Sequence, residues 1–146
     1  MTVATLAAKF IRVFEGCRLQ AYWDNYGKVW TIGFGHTKKV TRGDTITFEQ
    51  VVELFEQDAA PLIELVKDRP LLETAALVSF GYNCGTGALK RVLSGVISVR
   101  QEGFFIGTAA FGETSGGVRL EGLVARRQLE AALIEVSRES QVRTPA

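Results

Sequence analysis

The chain has 146 residues, 47% of them hydrophobic and 23% charged, with only three prolines, so it can bury a core without disulfide staples and is too apolar to be a disordered tail. No window approaches the roughly 18 apolar residues of a membrane span, and Lys9 and Arg12 interrupt the N-terminal stretch where a secretion signal needs an apolar core, which argues against stable membrane insertion and points to accumulation in the cytoplasm. The net charge of +1 is unevenly spread, at +5 over residues 1–43, −6 over 44–66 and +2 over the rest: an anionic polymer would be drawn to the first third, while the lack of a dense Lys/Arg run or a base-reading motif disfavours nucleic acid.

In chain order, Thr5 is placed to cap a first helix in which Leu6, Phe10 and Phe14 recur every four residues, with Ile11 and Val13 widening the stripe and Gly16 stopping it. From Leu19 to Val40 the pattern turns to aromatic and β-branched residues broken by Asp-Asn and by Gly27, Gly33 and Gly35, the mark of a small hairpin sheet. Thr47 and Gln50 form a capping box ahead of the helical stripe Val51, Phe55, Ala59, Leu62 and Val66, which predicts a long helix over 48–66 with Pro61 as a possible kink. Its acids are expected on a solvated face. After Pro70, residues 71–83 predict a buried helix ended by the CGTG stretch. Short helices weakened by Gly95, Gly103 and Gly107 are expected over 88–111, a loop at GETSGG, and a last amphipathic helix over LVARRQLEAALIEVSR. This order makes the fold class α+β, with the sheet segregated from most of the helices, in one domain. Cys17 and Cys84 are expected as reduced, buried thiols, although their number alone does not exclude a bridge.

The two acids within the first 43 residues, Glu15 and Asp24, both fall in FEGCRLQAYWDNYGKVWTIGFGHT. Glu15 ends the first helix, where the dipole and partial desolvation favour the protonated form, with Arg18 opposing if it reaches the carboxyl. Asp24 lies in a polar turn and is expected to stay ionised. Two carboxyls set apart in this way match glycoside hydrolysis, one protonating the leaving oxygen and the other stabilising the oxocarbenium-like centre or activating a water. Thr31 on the following strand has a hydroxyl that could hold that water. His36, the chain's single histidine, has a structural, hydrogen-bonded alternative, and Gly33-Phe34-Gly35 lacks the context of a dinucleotide site.

The run from Glu15 to Thr37, with its helix-ending E-G, aromatic-D turn and TIGFGHT, resembles the active-site signature of the phage-type lysozymes, glycoside hydrolase family 24. LVSFGYNCGTGAL (77–89) and GLVARRQLE (122–130) resemble two further motifs of that family, in register. The resemblance implies a lysozyme-like two-lobed fold: a β lobe over about 17–46, a helical lobe from about 1–16 and 67–146, and a connecting helix over about 48–66. It implies a muramidase that hydrolyses the β-1,4 bond between N-acetylmuramic acid and N-acetylglucosamine in peptidoglycan, working as a monomer, without metal or organic cofactor, in phage host lysis. Glu15 is then the general acid, Asp24 the second carboxylate and Thr31 the water-positioning partner. Gly33, Phe34, Gly35 and His36 would shape the cleft floor, Asn83 would face the sugar from the opposite lobe, and Arg126 or Arg127 would pair with Glu15. A lytic transglycosylase and an inactive wall-binding module are the alternatives. The chain departs from the family in one extra residue between Asp24 and Thr31, which puts the aim of Asp24 in question, and in residues 100–118, glycine-rich where the family has firmer helix.

Overall fold

The computed structural model describes residues 2–143. Helix α1 (Val3–Glu15) is capped by Thr2, whose hydroxyl accepts the Thr5 N–H at 3.1 Å. The cap therefore lies one turn before the expected Thr5, because either threonine can serve and the helical pattern begins at Val3. Its most buried positions are Ala7 and Ile11, with Leu6, Phe10 and Phe14 flanking them half-buried.

Strands β1 (Arg18–Asp24) and β2 (Val29–Gly33) form an antiparallel hairpin with a bulge between Arg18 and Tyr22. At the bulge β1 turns to another partner: the Ala21 N–H donates to Asp44 O at 2.8 Å, and Ile46 N–H to Leu19 O at 2.9 Å. Helix α2 (Phe48–Val66) starts at the Thr47–Gln50 capping box and runs through Pro61 without ending. It buries Val51, Phe55, Ala59, Leu62 and Val66, and turns Glu49, Glu53 and Glu56 to solvent.

Helix α3 (Leu71–Cys84) is buried over every residue from Glu73 to Gly81 and is packed by α1, α2, α4 (Thr86–Leu93) and α5 (Glu121–Arg143), the position that an all-round apolar helix requires. Gly81 permits that packing, since a Cβ there would stand 2.7 Å from a Leu62 methyl on α2.

The region beyond α4 overturns two expectations. Residues 98–111 are three antiparallel strands in place of short helices: β3 (Ser98–Arg100), β4 (Gly103–Ile106) and β5 (Ala109–Phe111). GETSGG, expected as a loop, contains the first strand and the turn of a further hairpin, β6 (Thr114–Ser115) and β7 (Val118–Arg119), with Gly116 and Gly117 between them. The physical reason is that Gly107, Gly116 and Gly117 have positive φ and act as turn residues between short strands, while Gly103, also at positive φ, opens β4 directly after a turn. Phe104 fixes the sheet to the body by stacking on Phe80 of α3 at 4.2 Å between ring centroids. The fold is thus α+β, with three small antiparallel sheets among the described residues, set around a helical body.

Candidate active site

Gly16, at φ 67, ends α1 with its N–H on Arg12 O, so Glu15 is the last helical residue and its side chain leaves the helix end. Arg126 of α5 reaches across the chain to it, donating from Nη1 to Glu15 Oε1. The rest of that guanidinium is held by α3, with Nε on Ser79 Oγ (3.2 Å) and Nη2 on Ser79 O (3.1 Å), and it lies over the Phe14 ring at 5.2 Å. Arg126 is 2% exposed and Glu15 20%, so solvent screens the pair poorly. Arg18, which would oppose protonation of Glu15 if it reached the carboxyl, lies over the Tyr22 ring at 5.1 Å. The second oxygen, Glu15 Oε2, faces Gly35; a Cβ there would stand 3.0 Å from it, and the φ of +91 independently demands glycine.

Asp24 ends β1. Its Oδ1 accepts the Tyr26 N–H at 2.9 Å, and its main-chain carbonyl accepts the Lys28 N–H at 2.7 Å. Gly27 leaves room for the carboxylate: a Cβ at 27 would meet Asp24 Oδ2 at 2.8 Å. In that turn Lys28 adopts the left-handed region, at φ 53, and the register below it stays regular, Asp24 opposite Val29 and Tyr22 opposite Thr31. Residues two apart share a sheet face, so Tyr22, Asp24, Val29 and Thr31 stand on one side of the hairpin, while Trp23 and Trp30 meet edge-on across the other. Burial raises the Tyr22 phenol above its ordinary value, and the charges of Glu15 and Asp24 add to this against Arg18.

Glu15 and Asp24 open onto one cleft of about 880 Å³, also lined by Tyr26, Asn83, Glu113 and Arg126. The remaining expected residues divide. Thr31 is 3% exposed and donates to Val29 O at 3.3 Å, behind the cleft lining. Gly33 packs toward Val51 and Ile46, and Phe34 is a core residue, edge-on to Phe55 at 6.1 Å, so both support the site from beneath. Gly35 and His36 line a neighbouring cavity of about 340 Å³. Both His36 ring nitrogens face acceptors, Asp58 Oδ2 at 2.6 Å and Lys38 O at 3.0 Å.

Asn83 reaches the cleft with its amide already oriented. Its Oδ1 accepts from Arg127 Nη1 at 2.8 Å, which leaves the amide N–H groups for the cleft. Arg127 thus serves the opposite wall from Arg126, and neither is a solvated helix residue. Fully buried, Arg127 also donates to Gly112 O at 3.3 Å and to Cys84 Sγ at 2.7 Å, and it pairs through Nε and Nη2 with Glu130. Burial pushes the Glu130 carboxyl up, against the pull of Arg127 and Arg126. Cys17 and Cys84 are free and half-buried. Burial likewise raises the Cys84 thiol, with Arg127 as the main opposing charge.

Sequence reasoning missed Tyr22, Gly27 and Glu113. The first two stand inside the recognised motif, where the spacing Tyr-x-Asp on a strand and the glycine three after Asp24 were usable signals. Glu113 sits on a strand connection that the reading took for loop.

The phage lysozyme family model matches residues 12–130. An endolysin from Acyrthosiphon pisum secondary endosymbiont phage 1 is 33% identical over 92% of this chain and 99% of its own length, and one from Lactococcus phage c2 is 36% identical over 91% of this chain and 60% of its own. Among solved structures, the active form of P1 phage endolysin Lyz is 25% identical and superposes with a TM-score of 0.68, over 91% of this chain and 84% of that one. The match from α1 to the Arg126–Glu130 segment of α5, with both carboxyls inside it, is a match to the whole cleft, and the chain belongs to the phage lysozyme family.

Proposed function

We propose that this lysozyme, a glycoside hydrolase that degrades bacterial peptidoglycan, cleaves its substrate with Glu15 as general acid and Asp24 with Thr31 as the water-holding pair. The observation that carries the reading is that Glu15 and Asp24, from different elements, share one cleft. Glu15 Oε1 is fixed by Arg126, so Oε2 is the oxygen available to carry the proton to the glycosidic oxygen. Asp24 and Thr31 stand on one hairpin face as diagonal neighbours, about 7 Å apart by the usual sheet spacing. Although Thr31 is buried just outside the cleft lining, its hydroxyl spends its proton on Val29 O and keeps its lone pairs for a water beside Asp24, which the Asp24 carboxylate deprotonates as it attacks the anomeric carbon. This arrangement supports inversion of the anomeric centre. Asn83 donates to the sugar from the facing wall, and Gly35 keeps the space beside Glu15 open. The working unit is a monomer of two lobes, the β1–β2 hairpin forming one wall and the helical body the other.

The bond cut is the β-1,4 link from N-acetylmuramic acid to N-acetylglucosamine, and the cellular role is host lysis, the protein being held in the cytoplasm until a membrane-permeabilising partner admits it to the wall. No helix among the described residues is long and apolar enough to cross a membrane. The test is turbidity loss of purified peptidoglycan with wild type, Glu15→Gln and Asp24→Asn, with mass spectrometry of the released ends. Glu15→Gln should cost about 10²-fold or more in rate, and reducing muramic ends are expected. Anhydro ends would make the protein a transglycosylase, and wild type that binds wall without turnover would make it a binding module.

A further inference from the structure

The cleft contains a third carboxyl group that the proposed chemistry does not use. Glu113 lies on the connection between β5 and β6 and lines the cleft from the side of Asn83, yet it is only 6% exposed. One oxygen, Oε2, takes both Arg119 N–H groups, Nε at 3.1 Å and Nη2 at 3.0 Å, while Oε1 accepts no hydrogen bond from any described residue.

A purely structural role explains half of this. The pair with Arg119 ties the two strands of the β6–β7 hairpin, but the base of that hairpin is already closed by the main chain, with Leu120 N–H on Glu113 O at 3.0 Å and Thr114 opposite Arg119. Arg119 itself is 68% exposed, so a solvent-exposed acid could serve it at no desolvation cost. Glu113 Oε1 is not sealed off from the cleft, so in a carboxyl that is otherwise buried it is the one oxygen left to a donor that enters the cleft, a ligand N–H in place of water. The neighbouring polar group completes the pattern. Arg127 Nη1 bonds both Asn83 Oδ1 and the carbonyl of Gly112, the residue before Glu113, which brings the two side chains to the same part of the wall and leaves Asn83 a donor beside Glu113, an acceptor. A secondary amide presents the complementary pair, a carbonyl oxygen and an N–H.

We propose that Glu113 is a substrate-binding residue whose Oε1 accepts the acetamido N–H of an N-acetylhexosamine unit, with Asn83 donating to the acetamido carbonyl. The inference rests on the cleft being the glycan site.

Binding of N-acetylglucosamine oligomers by titration calorimetry, on the Glu15→Gln background so that nothing is turned over, separates the two roles. In Glu113→Gln the amide oxygen goes to Arg119 and the NH2 faces the cleft, so the hairpin contact survives while the acceptor becomes a donor. Arg119→Ala does the reverse. Glu113→Gln should weaken binding by about 10- to 100-fold, with little change in melting temperature, and Arg119→Ala should lower the melting temperature and leave affinity within about twofold. Equal affinity losses in the two variants, or none in Glu113→Gln, would overturn the assignment. If Glu113→Gln fails to fold, the exchange Glu113→Arg with Arg119→Glu restores the pair with a donor facing the cleft, and near-parental affinity in that variant would overturn it as well. Oligomers that bind the Glu15→Gln parent nowhere, or turnover undiminished by Glu15→Gln, would instead count against the cleft as the catalytic site.

Discussion

Gly27→Ala tests the aim of Asp24 with a single methyl group. Gly27 does not have positive φ, so alanine meets no backbone strain there, and the loss of chain entropy in the unfolded state favours the variant by about 0.4–1 kcal/mol. The added Cβ would stand 2.8 Å from Asp24 Oδ2, with Asp24 Cγ at 3.5 Å and Val29 Cγ1 at 3.6 Å. A carbon–oxygen contact relaxes to about 3.3–3.6 Å, so the carboxylate must withdraw by at least about half an ångström. That movement works against the 2.9 Å bond from the Tyr26 N–H to Oδ1. Because the displaced atom is the end of a side chain, the fold absorbs it, and the melting temperature should stay within about 3 °C of wild type. Catalysis should not absorb it: a misplacement of 1 Å costs about 10²-fold, so a shift of half that predicts about a tenfold fall in kcat on purified peptidoglycan. Gly87→Ala, where nothing lies within 4 Å, is the control. A Gly27→Ala enzyme that melts normally and keeps kcat within about twofold would refute both the aim given to Asp24 and its part in the reaction.

Arg126→Met removes one partner from a buried ion pair and strips donors from Ser79; a cost of about 3–5 kcal/mol is expected, read as a fall of about 10 °C or more by calorimetry, together with loss of turnover because Glu15 is no longer held. The Tyr82 hydroxyl is buried without a hydrogen-bond partner among the described residues, so Tyr82→Phe should melt at the same temperature or up to a few degrees higher, and a drop of several degrees would mean the hydroxyl has a partner in solution. Burial raises the Cys84 thiol above its ordinary value, and since the thiolate is the reactive form, alkylation by iodoacetamide at pH 8 should be slower than that of a free cysteine peptide and should rise only at higher pH. Equal rates by mass spectrometry would contradict that direction.

What was legible in the sequence was local. The Thr47–Gln50 box and the stripe after it define α2 to the residue because cap and helix lie within one turn of each other. Glu15 could be placed because Gly16 directly follows it. The sheets after α4 escape a reading that weighs glycine as a weak helix former, because Gly107, Gly116 and Gly117 are turn residues and the strands beside them, such as GFFI and AAF, are too short to show a period. Gly116 and Gly117 were the best available hairpin signal. The site divided along the same line. Both carboxyls lie in one contiguous motif, whereas Phe34, in the same motif, belongs to the core, because a motif fixes spacing and not which face of the chain meets the cleft.

The arginine pair shows what only the fold could decide. Arg126 and Arg127 are neighbours on a helix, so their side chains diverge by about 100° around its axis. That divergence sends the first to Glu15 and Ser79 and the second to Asn83, Cys84 and Gly112, so that one dipeptide holds a residue on each wall of the cleft. Glu130 lies within one turn of both, bidentate to Arg127 and 3.9 Å from Arg126 Nε, and it supplies the negative charge without which two buried guanidiniums would repel each other. With Glu15 ionised the four groups are balanced. On the proposed mechanism Glu15 takes up the proton that it donates, and one positive charge in that network is then left uncompensated beside the cleft. Arg126 thereby orients the acid, and the two arginines together would give the cleft wall a net positive charge when that acid is protonated, a charge that favours a negatively charged substrate.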